Sequence, residues 1–163
     1  MRYLHSKSDD MLMMTEIYSR LSPVEFSIQS GEFAVREALE HFLAALGPIG
    51  LHAEERTAVE LVLAEALNNI VEHAYPDTAA QGVIQIRGQL CRDGLHINIT
   101  DMGEMMPNGK TPLGLAPNVD VNLKDLPEGG FGWFLIRSLV KEVSYDRVDG
   151  ENRLQLRMDM SGS

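Results

Sequence analysis

The chain has 163 residues, of which 44% are hydrophobic and 23% charged, and these are values of one ordinary globular domain. Its 14 Lys and Arg against 24 Asp and Glu give a formal net charge of −10, which argues against nucleic acid as a partner because that affinity depends on cations that neutralise phosphates. No apolar run approaches the roughly 18 residues that span a bilayer. The single cysteine can form no internal disulfide. We therefore predict a cytoplasmic single domain with neither a membrane nor a nucleic-acid partner.

The first 22 residues are predicted to be separable from the rest. Apolar residues recur from Met11 to Leu21 at a spacing compatible with a short helix, and Ser22-Pro23 follows. Two interpretations remain open for residues 1–22, a loosely ordered leader or a helix that docks on a partner or forms a dimer. The compact domain is expected over residues 23–160.

One strand and two helices are predicted next. Val24–Gln29 alternates apolar and polar residues, as a half-buried strand does. Ser30 is expected to cap a helix that ends at Gly47-Pro48. The longest helix is expected to begin near Ala53 and to run to about Ala74.

The second half of the chain predicts two hairpins with a long loop and a helix between them. In chain order these are a hairpin over residues 83–101, a lid over about 104–128, a helix over Phe131–Lys141 and a hairpin over residues 143–158. Sequential hairpins mixed with helices predict an α+β fold. We expect a two-layer sandwich whose mixed, mainly antiparallel sheet is covered on one face by helices.

A polar stripe lies on the long predicted helix. Glu65, Asn69 and His73 are spaced by four residues, so they follow one another along one side of the helix. The asparagine carbonyl is a hard oxygen ligand that suits Mg²⁺, and Glu65 can accept a proton from an attacking hydroxyl. Glu65 and His73 are about 12 Å apart along the axis and cannot share one ion, so His73 is expected to be a hydrogen-bonded residue near the site. The competing interpretation of the stripe is a solvated helix edge.

Two glycine-containing motifs complete the candidate site. Asp101-Met-Gly103 ends a strand, where the carboxylate can accept a hydrogen bond from an amino group such as that of adenine and the glycine permits close approach. Gly129-Gly130-Phe131-Gly132 opens a helix, whose free N–H groups and positive end favour phosphate. Each motif also has a purely structural interpretation, as an Asp-x-Gly turn and as a flexible entry into a core helix.

Taken in order, these segments resemble the N, G1 and G2 boxes of the GHKL ATP-binding fold. Within that fold the chain is similar to the anti-sigma factor serine/threonine kinases of the RsbW and SpoIIAB type, from about Val24 to Met158. The segments that carry the resemblance are Ala64–Tyr75, Asp101–Gly103 and Gly129–Val143.

The resemblance implies ATP and Mg²⁺ as cofactors, Glu65 as the catalytic base, Asn69 on Mg²⁺ and Asp101 on the adenine amino group. The other residues that it places at the nucleotide are His73, Gly103, Gly129, Gly130, Phe131 and Gly132. It further implies a STAS-domain antagonist as the substrate, a sigma factor or another regulator as the sequestered partner, and a homodimer.

Three features depart from the family pattern. Glu128 stands where some relatives carry a basic residue that reaches the terminal phosphate, and Lys110 or Lys124 in the predicted lid is our hypothesis for the missing charge. The segment after Gly103 lacks a second nearby glycine, and Trp133 stands where leucine is commoner.

Two other functions compete with the kinase. A nucleotide-dependent binding module that transfers no phosphate is the alternative, because Glu128 makes kinase activity less secure than ATP binding. The catalytic fragment of a histidine kinase is disfavoured, because a strand and a helix of the same domain already occupy the residues before Glu65.

Overall fold

The computed structural model describes residue 12 and residues 22–77, 80–112 and 130–160. Its strands are β1 (Val24–Gln29), β2 (Val83–Cys91), β3 (Gly94–Asp101), β4 (Glu142–Val148) and β5 (Glu151–Met158). Its α-helices are α1 (Ala34–Ala45), α2 (Ala53–Asn69) and α3 (Gly130–Leu139), with a π-helical turn over Ile70–Ala74 and short 3-10 turns at Gly47–Ile49 and Pro107–Gly109. Most of the predicted leader and residues 113–128 of the predicted lid lie outside the described ranges.

Within the described residues, five strands form one sheet in the order β1-β2-β3-β5-β4, and every pairing between them is antiparallel. One face of the sheet packs on the helices because alternate strand residues are apolar. The buried apolar strand residues with large side chains are Ile28, Ile84, Ile86, Leu95, Ile97, Ile99, Leu154, Leu156 and Met158, and the largest fully buried helix side chains are those of Phe42, Leu63, Leu67 and Ile136. This arrangement confirms the predicted α+β two-layer sandwich. No helix among the described residues is long and apolar enough to cross a membrane.

The prediction that Ser30 caps the first helix is wrong. Ser30 is buried, its Oγ accepts a hydrogen bond from the Gly82 amide at 2.8 Å, and its own amide donates to the Gly82 carbonyl at 2.8 Å. The helix instead begins at Ala34, and its N-cap residue, Phe33, makes no side-chain cap. The hydroxyl that could have capped the helix is instead bonded to Gly82, beside the paired ends of β1 and β2.

The longest helix begins at Ala53, as predicted, and the chain stays helical to Ala74. The backbone amide of His52 donates to Glu55 Oε2 at 3.0 Å and completes a capping box at the start of the helix. From Ile70 the α-helix widens into a π-helical turn, which the sequence did not indicate. Single π turns inside helices are frequent at functional sites, and this one follows Asn69 directly.

Candidate functional site

Asp101 places a buried carboxylate at the end of β3. It is 5% exposed and continues the inward-facing series of Leu95, Ile97 and Ile99. Burial raises the pKa of Asp101, and hydrogen bonds from Asn152 and Gly103 oppose that rise. Both bonds, from the Asn152 side-chain nitrogen and the Gly103 amide, reach Oδ1 at 2.8 Å. Oδ2 is therefore the oxygen that remains to accept a hydrogen bond from a ligand.

Asn152 holds this carboxylate in place. Its Nδ2 donates to Asp101 Oδ1 at 2.8 Å and to the Glu104 carbonyl at 3.0 Å. Its Oδ1 accepts from the Tyr145 hydroxyl at 2.7 Å and from Arg147 Nη1 at 2.6 Å. Since a buried polar group is costly unless it is bonded, this network fixes the rotamers of both Asn152 and Asp101.

The sequence motifs did not indicate Asn152, Tyr145 or Arg147 as residues of the site. The sequence did contain a signal for Asn152. It alternates in step with Leu154, Leu156 and Met158, so it is a polar residue on the face of the strand that is directed toward the core. The strand register that sets Asn152 directly opposite Asp101 belongs to the tertiary structure, and neither strand's sequence specifies it alone.

Gly103 brings the end of β3 against the π-helical turn. A Cβ built on it would collide with the Ala74 carbonyl oxygen and would lie 2.8 Å from the Ala74 Cβ. The next amide, that of Glu104, donates to the same carbonyl at 2.9 Å. Close backbone approach therefore requires glycine here.

We expect Gly103→Ala to lower the free energy of unfolding by about 1–3 kcal/mol, because the added methyl overpacks a contact between two backbone segments. Urea denaturation measures this change. Gly47→Ala is the matched control, since a Cβ at that glycine meets nothing within 4 Å. Equal stability of the two variants would show that the strand end yields without cost.

A second group of predicted residues meets where α3 packs on α2. A Cβ built on Gly132 would lie 2.5 Å from Glu65 Oε2 and 3.8 Å from Asn69 Nδ2. Asn69 is 9% exposed, and its Nδ2 donates to the Glu65 carbonyl at 2.8 Å. A carbonyl partner identifies that amide atom as the nitrogen, so the side-chain oxygen of Asn69 is the atom left to bind a cation.

One narrow cavity connects the two groups. Asn69, His73 and Asp101 all line it. The remaining lining residues are Ile70, Ala74, Glu104, Met106, Tyr145, Asn152 and Leu154. Its volume is about 20 Å³, close to that of a single water molecule. Asn69 therefore belongs both to the cavity that holds Asp101 and to the contact between Glu65 and Gly132.

The other predicted residues occupy the edge of this arrangement or lie outside the described ranges. Phe131 is half exposed, stacks at 6.4 Å on Phe134 and is not among the residues that line the cavity. Gly130 is the first residue of α3, and Trp133 is buried in the core. Lys110 is exposed just after the 3-10 turn. Lys124, Glu128 and Gly129 lie outside the described residues.

Residues 29–158 match the family model of the histidine kinase-like ATPase domain. The chain belongs to this family. The match includes the long helix with Asn69, the strand that ends at Asp101 and the helix that begins at Gly130.

This histidine kinase-like ATPase domain has curated relatives named as kinases. It is 35% identical over 92 residues to the serine-protein kinase RsbW of Staphylococcus aureus strain JH9, and the same holds for strain Newman. Each alignment covers 56% of this chain and 58% of the relative. The chain thus spans a little over half the length of the relatives that it matches. The predicted similarity to the RsbW type is confirmed.

The fold of this ATPase domain also occurs in a solved structure. The crystal structure of the RsbU and RsbW domains of Rv1364c from Mycobacterium tuberculosis superposes with a TM-score of 0.60. The match covers 85% of this chain and 32% of that chain at 18% sequence identity. At that identity the likeness supports the fold alone.

Proposed function

We propose that residues 23–160 form an ATP-dependent serine/threonine protein kinase domain of a partner-switching pathway. Its substrate is a STAS-domain antagonist, and it also sequesters a sigma factor or another regulator. The observation that carries the proposal is the position of Asn69, which joins the contact between Glu65 and Gly132 to the cavity of Asp101. A base, a metal ligand and an adenine acceptor are thereby neighbours.

Asp101 is the proposed adenine-binding residue. Its Oδ2 accepts a hydrogen bond from the exocyclic amino group, while Asn152 and the Gly103 amide hold Oδ1. The held carboxylate is therefore oriented before the ligand arrives, which reduces the entropy cost of binding. The cavity must widen for a purine, and the unbranched side chain of Met106 in its lining can repack to make room.

The start of α3 is the proposed phosphate-binding element. Its first residues are Gly130, Phe131 and Gly132, and the N-terminal amides of a helix have no partner within that helix. Gly132 lies beside Asn69, so a triphosphate at this helix end would be next to the Asn69 oxygen. Mg²⁺ held by that oxygen would neutralise charge on the phosphates. Gly129 and His73 are proposed to line the same nucleotide.

Glu65 is the proposed catalytic base. Its carboxylate lies against Gly132, one helical turn before Asn69, and so faces the proposed phosphate position. The substrate hydroxyl gives its proton to this carboxylate, its oxygen bonds to the γ-phosphorus, and the bond from that phosphorus to the ADP oxygen breaks. Phosphoryl transfer depends mainly on positioning and charge neutralisation, which these three elements would supply.

The proposed pathway also implies an oligomeric state, a cellular location and a type of partner surface for the protein. Homodimers are common among kinases of this type, and we propose one here, with residues 1–22 as a leader or docking segment. A sequestered sigma factor would place the chain in the cytoplasm. The formal charge of −10 favours a basic surface on the partner.

Asp101→Asn is expected to weaken ATP binding by roughly tenfold to a hundredfold, because a charge-assisted hydrogen bond contributes about 1.5–3 kcal/mol. Calorimetric titration with ATP and Mg²⁺ measures the loss. Asp146→Asn, at an exposed position of β4, is the matched control. Unchanged affinity in Asp101→Asn would remove the adenine assignment.

The raised pKa of Asp101 also predicts opposite effects of pH on stability and on ATP binding. Because the pKa of Asp101 is raised in the folded protein, its carboxyl group binds a proton more tightly there than in the unfolded chain. Protonated Asp101 therefore contributes its full stabilisation below the usual pKa of 3.8, and this contribution is lost as pH rises through the raised pKa. ATP binding needs the ionised form and weakens as pH falls through the same range. Asp101→Asn removes both dependences and does not lower the free energy of unfolding at pH 7.

The alternative function, a nucleotide-dependent binding module, also requires ATP but forms no phosphoprotein. Incubation with γ-labelled ATP and the cognate STAS-domain protein separates the two functions. The kinase predicts acid-stable phosphoserine or phosphothreonine on the STAS protein, absent with Glu65→Ala. ATP-dependent association without label would favour the binding module, and acid-labile label on a histidine of this chain would favour a histidine kinase.

A further inference from the structure

The hairpin between β2 and β3 carries a cluster of metal-ligating side chains that the proposed kinase does not use. Cys91 is the last residue of β2, Asp93 lies in the turn, and His96 is the third residue of β3. The Cys91 sulfur, one carboxylate oxygen of Asp93 and one ring nitrogen of His96 all lie within 4.8 Å of one another. The three side chains, which are close together in sequence, are thus already grouped by the backbone of the hairpin.

The strand register explains this convergence. Cys91 pairs with Gly94, and His96 pairs with Gln89, so Cys91 and His96 project from the same polar face of the sheet as diagonal neighbours. Gly94 has a φ of +122° and adjoins the Met158 backbone, where a side chain would collide. The tight turn that this glycine permits folds Asp93 back toward the strand pair.

This cluster is separate from the candidate nucleotide site. His96 and Asp101 are five residues apart on β3, a distance of about 17 Å along an extended strand. They also lie on opposite faces, because Asp101 continues the inward series while His96 faces outward. A ligand at the hairpin therefore makes no contact with a nucleotide held by Asp101.

A thiolate, an imidazole and a carboxylate form a donor set typical of zinc. Tetrahedral zinc sites hold their ligand atoms about 3.4–3.8 Å apart, so the cluster needs only small side-chain rotations to close on an ion. His96 Nε2 already lies 2.8 Å from Asp93 Oδ1.

The neighbouring charges are largely paired with one another. Arg157 Nη1 donates to the Asp93 carbonyl at 2.8 Å and so holds the turn backbone. Its Nη2 donates to Glu142 at 2.8 Å, and Asp159 lies 3.3 Å from Nη1. Arg157 Nε also lies 3.9 Å from Asp93 Oδ2, so the guanidinium borders the cluster. The carboxylates of Glu142 and Asp159 offset its charge, which would otherwise oppose a bound cation.

We propose that Cys91, Asp93 and His96 bind one zinc ion, with water as the fourth ligand. The ion joins the end of β2 to the start of β3 and stabilises the hairpin remote from the nucleotide site.

Cobalt titration of the untagged, reduced and metal-free chain of 163 residues tests this proposal. Co²⁺ reports a bound thiolate through a near-ultraviolet charge-transfer band, and Cys91 is the only cysteine that can produce it. We expect one equivalent of Co²⁺ to produce the band and Zn²⁺ to abolish it by displacement. Cys91→Ser should remove the band, and His96→Gln should weaken binding about tenfold or more.

The control variants isolate the cluster. His41→Gln changes an exposed histidine on α1 and should leave the titration unchanged, as should Asn69→Ala in the candidate nucleotide site. Far-ultraviolet circular dichroism verifies that each variant is folded. Absence of the band in the wild-type chain, or equal Co²⁺ affinity in His96→Gln and His41→Gln, would overturn the proposal.

Discussion

Glu65→Gln is expected to lower the rate of phosphoryl transfer to the STAS-domain antagonist by about 10²–10⁴-fold, the range that a general base contributes. The amide cannot take the hydroxyl proton, yet it has nearly the same shape as the carboxylate that lies against Gly132. ATP affinity should therefore be retained. Single-turnover transfer of labelled phosphate, measured beside calorimetric ATP binding, separates the two effects.

Glu60→Gln is the matched control for that variant. Glu60 is an exposed residue of the same helix, in a groove lined mainly by residues of α1 and α2. The Glu60→Gln variant should transfer phosphate at the wild-type rate. If Glu65→Gln also transfers at that rate, Glu65 is not the base. If the wild-type chain binds ATP but transfers nothing, the binding module is the correct function.

Asn69→Ala is expected to weaken Mg²⁺-dependent ATP binding by roughly a hundredfold or more. Mg²⁺ sites use few protein ligands, and loss even of a group that merely supports a ligand costs about 10–100-fold. The fold should survive, because the substitution removes one hydrogen bond, to the Glu65 carbonyl, worth about 1 kcal/mol and places a strong helix former in the helix. Calorimetry with Mg²⁺ and with EDTA measures the difference.

Asn98→Ala supplies the comparison, because Asn98 lies on the outward-facing side of β3. Asn69→Asp adds a second test, since its carboxylate keeps an oxygen for the metal and should restore much of the Mg²⁺-dependent binding. Wild-type affinity in Asn69→Ala would indicate that the polar stripe is a solvated helix edge, and the nucleotide assignment would fail with it.

Local patterns in the sequence predicted the elements well. The alternation over Val24–Gln29 gave a strand with those bounds, and the longest helix begins at Ala53 and stays helical to Ala74 as expected. These features depend on neighbouring residues, through side-chain periodicity, capping and turn chemistry. The prediction for Ser30 was wrong because its hydroxyl bonds to Gly82, which is distant in sequence, and not to the start of the neighbouring helix.

The sequence identified the three motifs of the candidate site but not the side-chain contacts among them. Asn152 was the main omission, since its importance depends on the register that sets it opposite Asp101. The π-helical turn after Asn69 was equally invisible, although it supplies the Ala74 carbonyl against which Gly103 packs. The register, and the contact of Gly103 with the π-helical turn, each join segments that are distant in the chain.

By itself, therefore, the amino-acid sequence determined most of the helices and strands, because these follow from interactions within a few positions. The order of these elements along the chain then indicated the two-layer architecture. Only the tertiary structure decided which residues of these elements meet. Strand register set Asn152 opposite Asp101, and helix packing set Gly132 against Glu65. Such meetings depend on the packing of the whole domain, which no local spacing encodes.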